Sequence, residues 1–176
     1  PNLSAFEVLP AGKAFQKYNN ATLAWIAGPK AAFTDKTHSF RAGQRVEKQI
    51  ALLNDTRAPI PYVRDWKSTL DGKIIGGDIV EGTIKTGETI FVPIAFDIPK
   101  TLKKDKVDGL ISLNATLGDD KSKDQFAFRA FKPLPPINLA VAVFDPEGDT
   151  TAMLKQLGCG VSSWNGDVNP KTTPLL

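Results

Sequence analysis

The chain has 176 residues, of which 41% are hydrophobic and 23% charged, an ordinary composition for a globular domain. Its 22 basic residues are interleaved with 19 acidic ones, and the one basic cluster, 100–106, contains Asp105 and no aromatic residue. This balance argues against a nucleic-acid site, which needs a larger surface of one sign. The single cysteine, Cys159, excludes an intrachain disulfide, and no apolar run approaches the ~20 residues that span a membrane.

The two ends of the sequence predict a segment of a longer protein. The chain begins at Pro1, with no initiator methionine or signal peptide, and stops at Leu176. Residues 1–21 mix Pro, Gly, Asn and Lys with scattered apolar positions. We interpret them as an N-terminal connector that packs on a neighbouring domain, with a short strand at 6–9.

Seven segments between residues 22 and 132 carry strand patterns separated by turn signals, with no helix of useful length between them. In the second segment Val46, Ile50 and Leu52 share one face and polar residues occupy the other, as a half-buried strand requires. The segments are 22–28, 45–55, 62–70, 73–84, 89–99, 109–119 and 124–132.

Turn and edge signals indicate how these segments connect. Asp71-Gly72 marks a hairpin between the third and fourth segments. The fourth segment, 73–84, is loosened by three glycines, which favours an edge or bulged strand. Pro93 in the fifth segment has no amide donor, so one edge of that strand should be free there. The polar run 118–123 predicts a turn before the last segment.

Two antiparallel sheets packed face to face are the economical arrangement for seven such strands. The predicted fold is therefore mainly β, an immunoglobulin-like or fibronectin-III-like sandwich over residues 22–132. Trp66 lies on the third strand, where such folds often bury a large aromatic residue. One continuous core should contain Val46, Ile50, Leu52, Trp66, Ile90, Val92, Ile94, Phe96, Ile111, Leu113, Phe126 and Phe128.

Residues 133–176 follow a different pattern and predict a partial α/β unit. The prolines at their start favour an extended linker. The unbroken apolar run 139–144 predicts a strand buried on both faces, as in a parallel sheet. This strand lacks neighbours in the predicted unit. We expect it to pair with a strand of the sandwich or with a second copy of the chain, which would make a homo-oligomer.

A helix should follow over 150–157, capped by Asp149 or Thr150 and ended by Gly158 in a left-handed conformation. The acidic turn before it, 145–149, has carboxylates at alternate positions, but its glycine and its twelfth position do not fit a calcium loop. Helix capping explains the same residues. We expect Cys159 to behave as a small apolar residue.

The sequence contains no complete catalytic motif. Its single histidine, His38, lies in a polar loop, and no G-x-S-x-G or comparable spacing accompanies it. We interpret His38 as a surface residue and predict no catalytic residue, metal or cofactor in this chain.

Three aromatic residues are candidates for binding a polysaccharide, because aromatic faces suit the C–H faces of sugar rings. They are Trp25, Tyr62 and Trp164. The apolar neighbours of Trp25 favour packing in the core or at an interface over sugar binding. Trp66 lies on the inward face of its strand, which favours core packing.

Three stretches, "FTDKTHSFRAGQRVEKQ", "LLNDT" and "VPIAFDIP", carry a resemblance to a known family. Over residues 22–158 the chain resembles an immunoglobulin-like accessory domain that follows the catalytic barrel in large bacterial enzymes related to family 2 glycoside hydrolases, of the β-galactosidase type. The stretch "VAVFDPEGDTTAMLKQLG" looks like the opening of an amidotransferase-like (flavodoxin-like) α/β domain. The family places its two catalytic glutamates in the barrel, so the resemblance implies no catalytic residue in this chain.

The resemblance implies a non-catalytic accessory domain that spaces or supports neighbouring domains of an exported bacterial carbohydrate-active enzyme. Two alternatives stay open: a carbohydrate-binding module, and a fragment of a larger enzyme whose catalytic part lies outside this chain. The expected partners are the neighbouring domains and a polysaccharide, with no nucleic acid and no membrane.

Overall fold

The structure is a computed structural model that describes residues 9–133, 135 and 137–164. Its internal contacts divide the chain into two compact units, Pro1–Lys132 and Pro133–Leu176. The first unit contains helix α1 (Pro10–Tyr18) and eight described strands. These strands are β1 (Thr22–Ala27), β2 (Ser39–Arg41), β3 (Arg45–Asn54), β4 (Ile60–Leu70), β5 (Lys73–Ile84), β6 (Glu88–Asp97), β7 (Lys106–Leu117) and β8 (Asp120–Phe131).

The eight strands form two sheets, with the orders β1-β3-β6 and β2-β8-β7-β4-β5. All neighbouring strands are antiparallel except β2, which runs parallel to β8. Strands β1, β3 and β6 occupy the places of the A, B and E strands of an immunoglobulin fold, and β4, β7 and β8 those of C, F and G. The predicted immunoglobulin-like β-sandwich is confirmed.

The core lies between the two sheets and is centred on aromatic rings. The ring centroids of Trp66 and Phe96 are 6.1 Å apart, and those of Phe96 and Phe128 are 5.7 Å apart. Of the predicted core, Ile90 and Phe126 are partly buried against this cluster, and Val92 is half-buried. The predicted residues that are fully part of it are Val46, Ile50, Leu52, Trp66, Ile94, Phe96, Ile111, Leu113 and Phe128.

The turn and edge predictions agree with the observed strands. Asp71 and Gly72 both have positive φ, 49° and 75°, as the tight hairpin between β4 and β5 requires. Strand β5 is the edge of its sheet, and its register with β4 shifts between Ser68 and Thr69. Strand β6 is the edge of the other sheet, and Pro93 on it is exposed.

The polar run 118–123 is not all turn, which corrects the sequence prediction. Only Gly118 and Asp119 connect the strands, and β8 already begins at Asp120. The polar residues that follow are strand residues, and the alternate side chains of Asp120, Ser122 and Asp124 bond to the edge of β1. A polar run can therefore form a strand when its side chains make hydrogen bonds to a neighbouring strand.

Two elements of the first unit escape the sequence analysis. Helix α1 lies in the predicted connector; Pro10 starts it, and Ala11, Phe15 and Tyr18 give it a helical apolar pattern. It buries none of its residues, so packing does not explain its formation. Strand β2 has only three residues, too few for a readable alternation. The strand predicted at 6–9 lies outside the described residues except for Leu9, which is not in a strand.

The second unit is a β-α-β unit made of β9 (Ala140–Val143), α2 (Asp149–Gln156) and β10 (Gly160–Ser163). Strands β9 and β10 pair in parallel, so the expectation that β9 lacks a neighbouring strand within its own unit is wrong. The sequence of β10, Gly-Val-Ser-Ser, has no apolar run that would predict a strand. A small core joins the two strands and the helix, and it contains Val141, Val143, Leu154 and Cys159. The apolar role predicted for Cys159 is confirmed.

Helix α2 is capped by Asp145 rather than by the predicted Asp149 or Thr150. Gly148, with φ of 87°, is the N-cap residue, and no side chain of its own can cap the helix. The Asp145 carboxylate accepts a hydrogen bond of 2.7 Å from the Thr151 amide, which holds the pKa of Asp145 below its ordinary value. Gly158 ends the helix with φ of 86°, as predicted.

Candidate functional site

A groove of about 570 Å³ lies beside the free edge of β1. We call it the β1–β8 groove. Strands β1 and β8, the end of α1 and the segment 33–36 line it. Its aromatic walls are Tyr18, Trp25, Phe33 and Phe126, and its charged residues are Lys17, Asp35, Lys36, Lys48, Lys123 and Asp124.

Strand β8 closes the free edge of β1 with side chains instead of backbone. Asp124 accepts a 2.9 Å hydrogen bond from the Ile26 amide, and Asp120 accepts one of 2.8 Å from the Thr22 hydroxyl. Between them the Ser122 hydroxyl donates to the Ala24 carbonyl at 3.2 Å. Alternate residues of a strand point to the same side, so one face of β8 supplies all three bonds. The seam between the two sheets at this edge is therefore polar and ordered.

Lys48 is a buried lysine on the inward face of β3. Its residue is 3% exposed, and its ammonium donates a 3.1 Å hydrogen bond to the Asp35 carbonyl. The same nitrogen lies 4.5 Å from the centre of the Phe126 ring, a cation–π geometry. Burial lowers the pKa of Lys48 below its ordinary value, and the nearby Asp35 charge offsets part of that effect. Lys48 is the most buried of the charged residues that line the groove, and we call its position the inner end of the groove.

The segment that carries Asp35 is fixed to the sheet by hydrogen bonds. The buried Gln49 side chain donates to the Gly28 carbonyl at 2.9 Å, and the Gly28 amide donates to the Phe33 carbonyl at 2.8 Å. The Thr37 hydroxyl and amide bond to the Asp35 carboxylate at 2.6 and 2.7 Å. These two bonds, the hydroxyl first, hold the pKa of Asp35 below its ordinary value. The groove wall is therefore held in one conformation.

The charge of the groove is positive. Four lysines line it against two aspartates, and both carboxylates already accept hydrogen bonds from the protein. Lys36 and Lys123 have no acidic partner among the described residues, and neither has Lys17, which bonds to the Tyr18 hydroxyl at 3.2 Å. Such a surface attracts anions rather than cations.

The three predicted ligand-binding residues lie on different elements of the chain. Trp25 is half-buried and lines the β1–β8 groove. Tyr62 is half-buried on the other sheet, where its ring occupies the space that a side chain at Gly82 would need. Trp164 belongs to the second unit, where its ring meets Phe144 edge-on at 6.2 Å. Of the three, only Trp25 lies in the groove.

Lys48 is the site residue that the sequence prediction missed, although its position in the strand pattern could have indicated it. Lys48 has the same strand parity as Val46 and Ile50, so the alternation that buries those residues also turns Lys48 inward. A charged residue on a predicted core face is unusual and is informative when it is buried. The contacts from Asp35 and Phe126 depend on pairing across long stretches of chain, which the sequence pattern does not reveal.

A second polar feature lies in the core on β4. Arg64 is 2% exposed and pairs with the carboxylate of Asp78, one of its two hydrogen bonds measuring 3.4 Å. The Arg64 Nε, the Trp66 Nε1 and the Ser68 Oγ are buried and find no hydrogen-bond partner among the described residues. A buried water is the usual partner of such groups.

The remaining candidates of the sequence analysis stand apart from the groove. His38 is exposed, and its ring Nδ1 lies 3.2 Å from the Lys36 carbonyl. Within the described ranges, no three His, Cys, Asp or Glu side chains gather as a metal site would require. The same residues include no helix long and apolar enough to cross a membrane.

Comparison with known proteins identifies no family. No protein-family description matches the chain, and no curated protein matches it. Among solved structures, a family 123 glycoside hydrolase from Clostridium perfringens aligns with a TM-score of 0.42 and 12% identity over 70% of this chain, and the match spans 30% of that enzyme.

Two further solved structures are similar to a comparable share of the chain. The CARDB domain of the PF1109 protein from Pyrococcus furiosus, solved with di-metal ions, has a TM-score of 0.39 and 13% identity, and covers 62% of this chain and 86% of its own. A FixG-related protein from Vibrio parahaemolyticus has a TM-score of 0.39 and 15% identity, covering 65% and 99%. These likenesses are too distant to transfer a ligand or an activity.

Proposed function

We propose that this chain is a non-catalytic accessory module of a larger protein, in which the sandwich is a rigid element that spaces or supports neighbouring domains. For the larger protein we propose a bacterial carbohydrate-active enzyme, a glycoside hydrolase of the family 2 type. That assignment is based on the sequence resemblance over residues 22–158.

The non-catalytic role is supported chiefly by the polar side chains of the sandwich that form hydrogen bonds within the fold. Asn54 is fully buried; it donates to the Ala58 and Ile84 carbonyls at 2.9 and 3.1 Å and accepts from the Thr56 hydroxyl at 2.6 Å. It thereby joins two turns. The carboxylates of Asp120 and Asp124 bond to β1. The Asn54 amide and these two carboxylates thus hold strands and turns together, as expected of polar groups with a structural role.

The size of the second unit also supports a role beside other domains. Its two-stranded sheet and single helix have a core of only a few side chains. A parallel sheet usually needs helices on both faces, and a two-stranded sheet is marginal by itself. We propose that this unit packs against a neighbouring domain of the parent protein. A homo-oligomer formed through β9 is the alternative partner, and export of the parent protein is part of the same proposal.

The 176-residue chain should release no phenol from a panel of aryl glycosides above the buffer rate, because the proposal places the catalytic glutamates in another domain of the parent protein. The assay should include Asp120→Asn and Asp124→Asn beside the unchanged chain. Turnover that disappears when a specific Asp or Glu of this chain is replaced would overturn the non-catalytic role.

A second candidate function is binding of a polysaccharide by the sandwich. The aromatic walls of the β1–β8 groove favour it, since Phe33 is 42% exposed and Tyr18 is 59% exposed. Exposed aromatic faces are suited to stacking on sugar rings. This function is compatible with an accessory module, because binding and spacing use different surfaces.

A further inference from the structure

We propose that the β1–β8 groove binds a carboxylate attached to a six-membered ring, either an acidic sugar of the uronate type or an aromatic carboxylate, with the Lys48 ammonium as its anion contact. In its sugar form the inference rests on the polysaccharide-binding function proposed above. Its chemistry follows from the donors, charge and walls of the groove.

The first step is the hydrogen-bonding capacity of Lys48. An ammonium has three N–H donors, and burying it without partners is costly. Among the described residues one acceptor, the Asp35 carbonyl, bonds to it. The face of the Phe126 ring provides a second, weaker contact. At least one donor is therefore available at the inner end of the groove for an anion.

The second step is the balance of charge around that donor. The nearest carboxylate, Asp35, is bonded to the Thr37 hydroxyl and amide, and Asp124 is bonded to the Ile26 amide. Lys36 and Lys123 also line the groove. A ligand that enters meets more positive charge than negative, and its negative group is attracted towards the inner end.

The third step is the shape of the remaining ligand. Trp25, Phe33 and Tyr18 contribute aromatic rings to the walls of the groove. Phe33 is held by an edge-to-face contact with Phe91 at 5.5 Å. The volume of about 570 Å³ falls within the range of ordinary small-molecule sites. A ring that carries a carboxylate can pack against the aromatic walls while its carboxylate contacts the Lys48 ammonium.

The 176-residue chain is titrated with three probes in turn, and binding is monitored by amide NMR spectra and by calorimetry. Trigalacturonate is the acidic sugar, a galactose trimer is its neutral counterpart, and benzoate is the aromatic carboxylate. We expect an acidic probe to shift the amides of Phe33, Ser122 and Lys123. The galactose trimer should cause no such shifts, because it offers no charge to the ammonium.

The variant that isolates the anion contact is Lys48→Met, which keeps a long apolar chain in the core. It should weaken binding of the acidic probe about tenfold or more, as expected for a lost hydrogen bond to a charged group. Lys103→Met is the matched control, because Lys103 is exposed and outside the groove; it should leave binding unchanged. If Lys48→Met fails to fold, the exposed rim variant Lys123→Met should still weaken binding.

The outcomes distinguish failure of the anion site from failure of the proposed polysaccharide binding. Binding of trigalacturonate supports the acidic-sugar form, and binding of benzoate alone supports the aromatic form and removes the sugar. Equal binding of the galactose trimer, unaffected by Lys48→Met, would keep polysaccharide binding but overturn the anion site. If no probe binds, the anion site is overturned, and Lys48 is a structural residue that fastens the segment of Asp35 to the sandwich.

Discussion

Lys48 shows how the environment of one residue couples ionisation to stability. In the unfolded chain its pKa is that of an ordinary lysine, about 10.5, whereas burial lowers it in the folded chain. The unfolded chain therefore binds this proton more tightly in the alkaline range below pH 10.5. Folding in this pH range therefore releases a proton from Lys48. Because a higher pH favours proton release, Lys48 makes the free energy of unfolding rise with pH in that window.

Replacing Lys48 by Met should remove this alkaline contribution. The free energy of unfolding, measured with urea at intervals from pH 7.5 to 10, should rise less steeply in Lys48→Met than in the unchanged chain. Near pH 7 the variant should be at least as stable, because a buried ammonium is exchanged for an apolar group of similar length. Lys103→Met serves as the exposed control. Parallel pH curves for all three proteins would contradict a lowered pKa at Lys48.

At the scale of elements, β8 acts as a partner strand through its side chains. An edge strand with free amides and carbonyls invites association with other chains, and proteins usually protect such edges. Here Asp120, Ser122 and Asp124 cover the edge of β1. The arrangement protects β1 without adding a strand and leaves room for the β1–β8 groove.

The Asp124 bond is the part of this arrangement that is easiest to test. Asp124→Ala leaves the Ile26 amide without its acceptor and should lower the free energy of unfolding by about 1–3 kcal/mol. Hydrogen exchange of the Ile26 amide should become faster. Asp124→Asn keeps an acceptor oxygen and should cost less, and Gln125→Ala, on the exposed face of β8, is the control. Unchanged protection of Ile26 in Asp124→Ala would show that the bond does not hold β1.

Sequence patterns predicted those elements whose faces differ in polarity and missed those stabilised by long-range pairing. The alternation around Ile50 and Phe96 placed their strands and the core correctly, because burial on one face repeats every two residues. Strand β2 and the start of β8 depend on distant partners, with Asp124 and Ile26 almost a hundred residues apart. The groove is formed by such long-range contacts. The sequence singles out Trp25 because it is aromatic, and its binding role stays a prediction, whereas nothing in the sequence shows that Lys48 lines the same groove.

At the scale of the whole molecule, the chain combines a sandwich that has a full core with a small β-α-β unit. The sandwich buries a continuous apolar cluster and ties its turns with Asn54 and Gln49. The second unit has its own small cluster around Val141 and Leu154. We expect the sandwich to be the stable part, and the second unit to depend on what it packs against.

The direct test of a self-contained accessory sandwich is urea unfolding of residues 1–132 beside the full 176-residue chain. The shortened chain should unfold in one cooperative transition with the same midpoint as the sandwich in the full chain, since its core lies entirely within these residues. Far-UV circular dichroism follows the strands, and tryptophan fluorescence, measured in a Trp25→Phe, Trp164→Phe background so that it reports Trp66, follows the core. A shortened chain that fails to fold, or that unfolds at a clearly lower urea concentration, would contradict the account.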